Sequence, residues 1–104
     1  MHNVMVRYKV KAGEAAANEA LVRNVYDELR QTAPAGFHYA TFVLEDGVSF
    51  VHVASSDAGE EQSPLPELAA FRAFQEGIGE RCDEPPARVA LREVGSYAFW
   101  DDRG

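Results

Sequence analysis

Residues 37–54 read FHYATFVLEDGVSFVHVA, and this stretch decides the fold. Two runs rich in β-branched and aromatic residues, 37–44 and 48–54, flank Glu45-Asp46-Gly47. The spacing predicts a hairpin closed by a tight turn at Asp46-Gly47, because glycine tolerates the positive φ that such turns need. With two loop residues, Thr41 falls opposite His52 and Val43 opposite Phe50. One face of the hairpin then carries Ala40, Phe42, Leu44, Val51 and Val53, and its uniform apolarity assigns it to helix packing. The opposite face carries Tyr39, Thr41, Val43, Phe50, His52 and Ala54. A register change of one residue would mix the two sets.

The flanking segments complete the pattern. Residues 4–10 alternate strictly, with Val4, Val6, Tyr8 and Val10 on one side and Met5, Arg7 and Lys9 on the other, which is a strand. From 14 to 32 the period becomes helical: Leu21, Val22, Val25 and Leu29 form a stripe flanked by Ala17 and Tyr26, and Ala33-Pro34-Ala35-Gly36 ends it. Residues 55–63 are polar and acidic and read as a loop. Pro64 and Pro66 suit a helix start, and Leu68, Phe71, Phe74 and Ile78 recur at helical spacing; Gly77 and Gly79 weaken the helix end, and Asp83-Glu84-Pro85-Pro86 closes it. A last strand is expected over 87–94, followed by an aromatic arm, Tyr97 to Trp100, within residues 96–104. The order β-α-β-β-α-β with right-handed crossovers implies an α+β, ferredoxin-like domain spanning 1–104. Its four-stranded antiparallel sheet has both helices on one face.

Composition excludes several classes of function. The chain has 104 residues, 46% of them hydrophobic and sixteen of those alanine, which suffices for one core and not two. Seventeen acids against ten bases give a net charge of −7, which repels polyphosphate and disfavours nucleic acid as a partner. No apolar run approaches a membrane span and the first ten residues lack the apolar core of a signal peptide, so a cytoplasmic protein is expected. One cysteine, Cys82, leaves no intramolecular disulfide.

Two helices cover one side of such a sheet, so the other side needs a cover. A monomer would expose Tyr39, Val43, Phe50 and the aromatic arm, and burial against a second copy through the sheet face removes that patch. The strand MVRYKV, the amphipathic helix, the hairpin YATFVLEDGVSFVHVA, the helix PELAAFRAFQEGI and the aromatic tail resemble the dimeric α/β-barrel superfamily. Within it the chain is most similar to small bacterial proteins near the antibiotic-biosynthesis monooxygenases. The resemblance lies in element order and hydrophobic pattern across nearly the whole chain. It implies facing sheets in a homodimer and a small-ligand cleft between each sheet and its helices. It also implies oxidation of electron-rich phenols without metal or flavin, the substrate itself activating oxygen. Haem-degrading relatives carry a strand-one asparagine, for which Asn3 stands, together with a tryptophan and an axial histidine. The second helix here has neither, and Trp100 lies near the chain end.

His52 heads the candidates for chemistry, since a partly buried imidazole moves protons near neutral pH. Its plainer reading is a histidine satisfied in the dimer interface by Thr41 or Tyr39. Arg7 is the matching candidate for stabilising an enolate-like anion, its plainer reading being an ion pair with the partner subunit or solvent. Arg7, Tyr39, Thr41 and His52 on one face would make a polar cluster in an apolar basin. Phe50, Tyr26 and Phe74 are candidates to line that basin for a small aromatic ligand, although aromatics at helical spacing are usually core. Trp100 reads as an anchor on the neighbouring subunit. Cys82, beside Asp83 and Glu84, reads as inert. His2 and His38 do not converge with His52 on a metal, and neither a Gly-rich phosphate loop nor a cofactor motif is present. A non-catalytic binding or structural dimer is the competing reading.

Overall fold

The computed structural model describes residues 2–57 and 63–99. Strand β1 (His2–Val10) leads into α1 (Ala15–Thr32), then β2 (Phe37–Val43) and β3 (Ser49–Ser56). A 3-10 turn (Leu65–Glu67), α2 (Ala69–Gln75) and the one-turn α3 (Ile78–Arg81) precede β4 (Cys82–Leu91). The sheet has the order β2-β3-β1-β4 with every neighbouring pair antiparallel, so the ferredoxin-like βαββαβ arrangement is the observed one. Trp100 and the centre of the acidic 55–63 stretch lie outside the described residues.

The elements end where the residues dictate. Helix α1 stops at Ala33, which adopts a left-handed conformation (φ 44°) and returns its N–H to the Leu29 carbonyl at 2.7 Å; Pro34 cannot continue the helix. The α1 carboxylate of Glu28 accepts from the N–H groups of Ala70 (2.8 Å) and Ala69 (3.4 Å), so one helix satisfies the first turn of the other. The hairpin loop is wider than two residues: the Leu44 N–H meets the Ser49 carbonyl, and Asp46 accepts from the Val48 and Ser49 amides and the Ser49 hydroxyl. Those three bonds, the Ser49 hydroxyl first, hold the Asp46 carboxyl down at about 2. Gly47, with φ 77°, supplies the left-handed residue.

Two boundaries differ from the sequence expectation. Helix α2 breaks at Gly77 (φ 75°) instead of running to Ile78, and Arg81 donates to the freed carbonyls of Phe74 (2.7 Å) and Glu76 (3.1 Å). Strand β4 begins at Cys82, five residues before the expected start. Pro85 and Pro86 are tolerated there because β4 is an edge strand and its pairing with β1 is irregular between Arg7 and Lys9.

The hairpin register is as expected, with Thr41 opposite His52 and Val43 opposite Phe50, but its two faces are exchanged. Partners across a ladder share a face, and β1 pairs Val6 with His52 and Tyr8 with Phe50. The helix-facing set of β1 therefore carries Tyr39, Thr41, Phe50 and His52 inward. Phe50 is 2% exposed and His52 5%, whereas Phe42, assigned to the core by its apolarity, is 50% exposed. The core joins Tyr8, Val10, Val22, Val25, Phe50, Leu68 and Phe74, with Tyr8 stacked on Phe50 at 5.5 Å. The uncovered face of the sheet carries Met5, Ala40, Phe42, Val51, Val53, Val89 and Leu91 instead of Tyr39 and Phe50, and Arg7 lies there too.

Candidate functional site

A cavity of about 290 Å³ lies between the sheet and the α2 region. Val4, Val6, Tyr8, Tyr39, His52 and Ala54 form its floor, and Leu65, Phe71, Phe74 and Ile78 its roof, with Pro86 and Arg88 on β4. Its lining is mainly apolar, with the imidazole, two phenols and the residues His2, Ser56, Ser63, Gln75 and Arg88 as its polar members. That combination, a mostly hydrophobic lining with a few placed polar groups, is the usual make-up of a small-molecule site.

The polar groups form one connected cluster. Both nitrogens of His52 are engaged: Nε2 lies 2.8 Å from Tyr8 Oη, and Nδ1 lies 2.7 Å from Tyr39 Oη and 3.1 Å from Thr41 Oγ1. Thr41 Oγ1 in turn lies 2.7 Å from Tyr26 Oη. On the other side, Asn18 Nδ2 donates to Tyr8 Oη at 2.9 Å, and Asn18 Oδ1 accepts from Arg81 Nη2 at 3.2 Å. Phe74 covers the cluster, its ring 5.4 Å from His52 and 6.0 Å from Tyr8, with the Arg81 guanidinium over the same ring at 5.5 Å from its centroid. Each strand contributes by alternation: residues 6 and 8, 39 and 41, and 50 and 52 all project toward the helices.

Burial sets the protonation states. Desolvation pulls the His52 imidazole down to about 4, so it is neutral at physiological pH. Burial pushes the Tyr8 phenol up to about 12 against the opposing pull of the Asn18 hydrogen bond. Tyr39 and Tyr26 are also raised by desolvation, so all three phenols are protonated donors at pH 7. The Cys82 thiol is raised by burial first, with Asp83 adding to it, which leaves it a poor nucleophile.

The expected site residues divide into three groups. Tyr39, His52 and Phe74 meet in the cavity. Tyr26, Thr41 and Phe50 line a separate shallow groove beside α1 with Val22 and Val43, and Tyr26 and Thr41 touch the cluster from behind. Arg7, paired with Val51 and exposed, points from the opposite face of the sheet and does not meet His52. Its side chain lies on that face because residues 6 and 7 of one strand must diverge. Tyr8, Asn18 and Arg81 belong to the cluster and were not singled out from the sequence. Asn18 carried a legible signal: positions 18, 22, 25 and 29 share one helix stripe, and a polar residue on that stripe demands a buried partner. Among the described residues no three metal-ligating side chains converge.

No family model matches the chain, and no curated protein matches it. Solved structures do match. A protein of Nitrosomonas europaea provisionally named an antibiotic biosynthesis monooxygenase superposes with a TM-score of 0.74 at 15% identity, covering 89% of each chain. An antibiotic biosynthesis monooxygenase structure gives 0.72 at 18% identity over 91% of this chain and all of its own. The chain has their fold. A protein of Pseudomonas aeruginosa shares this fold at a TM-score of 0.69 and 19% identity, over 90% of this chain and 94% of its own. The cavity of this chain occupies the space between the sheet and the second helical segment, where the resemblance of the sequence implied a cleft. No helix among the described residues is long and apolar enough to cross a membrane.

Proposed function

We propose that this chain is a cofactor-independent oxygenase of small aromatic or phenolic molecules, working as a cytoplasmic homodimer. The observation that carries the reading is the buried, neutral His52 held at both nitrogens by phenols, Tyr8 and Tyr39, that line the cavity with it. A polar cluster of this size is costly in an apolar core unless every member is paired, and such groups concentrate at functional sites. Packing alone would be met as well by aliphatic side chains.

In the reaction, a phenol loses its O–H and one ring C–H hydrogen and gains one oxygen atom, giving a quinone. The second atom of O2 leaves as water with those two hydrogens, so the substrate is the only reductant. Phe71, Phe74 and Leu65 hold the ring and exclude water, Tyr39 touches the substrate oxygen, and His52 steadies Tyr39 and exchanges protons with the substrate through it. The test is oxygen uptake above a protein-free control with 1-naphthol and anthrone, and transfer of label from 18O2 into the product; Tyr39→Phe lowers both. Ligand binding without oxygen uptake by any substrate overturns the enzyme in favour of a small-molecule-binding module. That second reading is favoured by Arg7, whose place on the far face removes the cation expected to stabilise a substrate anion.

The homodimer rests on the uncovered sheet face. Phe42, Val89 and Leu91 are 50%, 47% and 39% exposed there, beside half-buried Met5, Val51 and Val53. Val94, just before the arm, and Tyr97 on it are 88% and 95% exposed, which fits an arm that packs on the partner. A lone buried thiol, Cys82, fits a reducing compartment.

A further inference from the structure

The hydrogen bonds that run from Arg81 to Tyr39 have a direction, and the direction specifies a ligand. A guanidinium has donors only. Arg81 Nε and Nη2 both point at Asn18 Oδ1 (3.4 and 3.2 Å), which fixes the amide with its oxygen toward Arg81 and its NH2 toward Tyr8. Tyr8 Oη therefore accepts from Asn18, and among the described residues its own proton has one acceptor, His52 Nε2 at 2.8 Å. A neutral imidazole that accepts at Nε2 carries its proton on Nδ1, which donates to Tyr39 Oη at 2.7 Å and is shared with Thr41 Oγ1 at 3.1 Å. The Tyr39 proton then has no acceptor among the described residues and is left to the cavity. The opposite direction would strand the Tyr8 proton instead, in a residue 2% exposed, and a buried donor without a partner is strongly disfavoured.

We infer that this relay presets Tyr39 as a hydrogen-bond donor at the cavity wall, so that the site selects flat aromatic molecules carrying an acceptor oxygen (a carbonyl, phenolate or enolate) over those carrying only a donor. Arg81, Asn18 and Tyr8 are its positioning residues. The inference rests on the cavity being the ligand site, and it goes further by naming the polar group that the ligand must present. It also gives Arg81 two tasks: the same guanidinium that closes the broken end of α2 sets the polarity of a tyrosine on β2.

Asn18→Asp tests the direction. Its carboxylate accepts from both Arg81 and the Tyr8 hydroxyl, so Tyr8 Oη accepts a hydrogen bond from His52 Nε2–H, Nδ1 becomes an acceptor, and the Tyr39 proton turns away from the cavity. Nitrogen-15 NMR of the imidazole is expected to show Nδ1–H in the wild type and Nε2–H in the variant. Two bicyclic probes of nearly one shape read the consequence: 1-indanone offers only an acceptor and indole only a donor. The wild type is expected to bind 1-indanone about tenfold more tightly than indole, Asn18→Asp to reverse the order, and Tyr39→Phe to abolish the preference. Nε2–H in the wild type overturns the relay, and equal affinities beside Nδ1–H overturn the selectivity. If neither probe binds the wild type, the cavity is not the ligand site and the selectivity falls with it, while the tautomer still decides the relay. Should Asn18→Asp fail to fold, the wild-type tautomer and Tyr39→Phe decide both parts.

Discussion

Acid is expected to destabilise the protein between pH 6.5 and 4 chiefly through one buried side chain, His52. Its imidazole binds a proton at about 4 in the folded chain and at the ordinary 6.5 when unfolded, because burial beneath Phe74 and between Tyr8 and Tyr39 disfavours the charged ring. Between those values the unfolded state holds the extra proton, so stability is complete above pH 6.5 and falls as pH drops toward 4. A gap of about 2.5 pH units at about 1.4 kcal/mol per unit amounts to about 3 kcal/mol, with no discount for solvent because the residue is 5% exposed. That is a large share of the roughly 5–15 kcal/mol that holds a small domain together. Urea unfolding of wild type and His52→Gln, from pH 7.5 down to pH 4 at one fixed protein concentration, isolates the effect, since every other titrating group is common to both. The variant is less stable at neutral pH because it loses ring contacts, but its disadvantage is expected to shrink by about 3 kcal/mol at the acid end. A difference that stays constant across this range would refute the claim that the core holds His52 neutral.

Three further outcomes follow from other parts of the molecule. Phe42→Glu places a charge on the uncovered sheet face at a half-exposed position, and light scattering is expected to show a folded monomer where the wild type is a dimer; a monomeric wild type refutes the sheet-face pairing. Arg7→Ala is expected to leave 1-indanone affinity and oxygen uptake within about twofold of wild type, because the side chain lies across the sheet from the cavity; a larger loss would return Arg7 to the site. Gly36→Ala is expected to cost about 1–2 kcal/mol in urea unfolding, since the residue holds φ 71° and a Cβ there would come within 3.2 Å of Asp57 Oδ2. An unchanged midpoint would mean that the turn into β2 relaxes freely.

The architecture was legible because period and punctuation agree. Strict alternation in β1, a 3.6-residue stripe in α1 and a glycine-containing turn between two β-rich runs leave little choice of topology. The hairpin register followed from the turn even though the loop proved wider, because lengthening both ends of a loop equally preserves every pair, Thr41 with His52 among them. Boundaries that depend on tertiary partners were less legible. Helix α2 ends early because Arg81 is placed to satisfy its carbonyls, and β4 starts early because an edge strand accepts Pro85 and Pro86. Gly77 marks the first boundary locally, but the early start of β4 has no local signature.

The face of the hairpin is the instructive case, because hydrophobicity alone gave the wrong answer. Ala40, Phe42, Val51 and Val53 are the more apolar set, yet the structure turns inward the set with Tyr39, Thr41 and His52. Polar bookkeeping explains the choice. Alternation in β1 commits Tyr8 to the helix side, and the α1 stripe commits Asn18 to the same space. A hydroxyl and an amide buried together require further partners, since unmatched groups cost more than extra methyl groups return. An aliphatic hairpin face would have offered them none. The His52 face offers an imidazole with two nitrogens and two hydroxyls, and it completes a cluster that reaches from Arg81 to Tyr26. The more apolar set is then free to lie on the side that the described helices leave uncovered. One parity decision thus creates both the polar end of the cavity and the apolar sheet face, and a chain that reversed it would lose both at once.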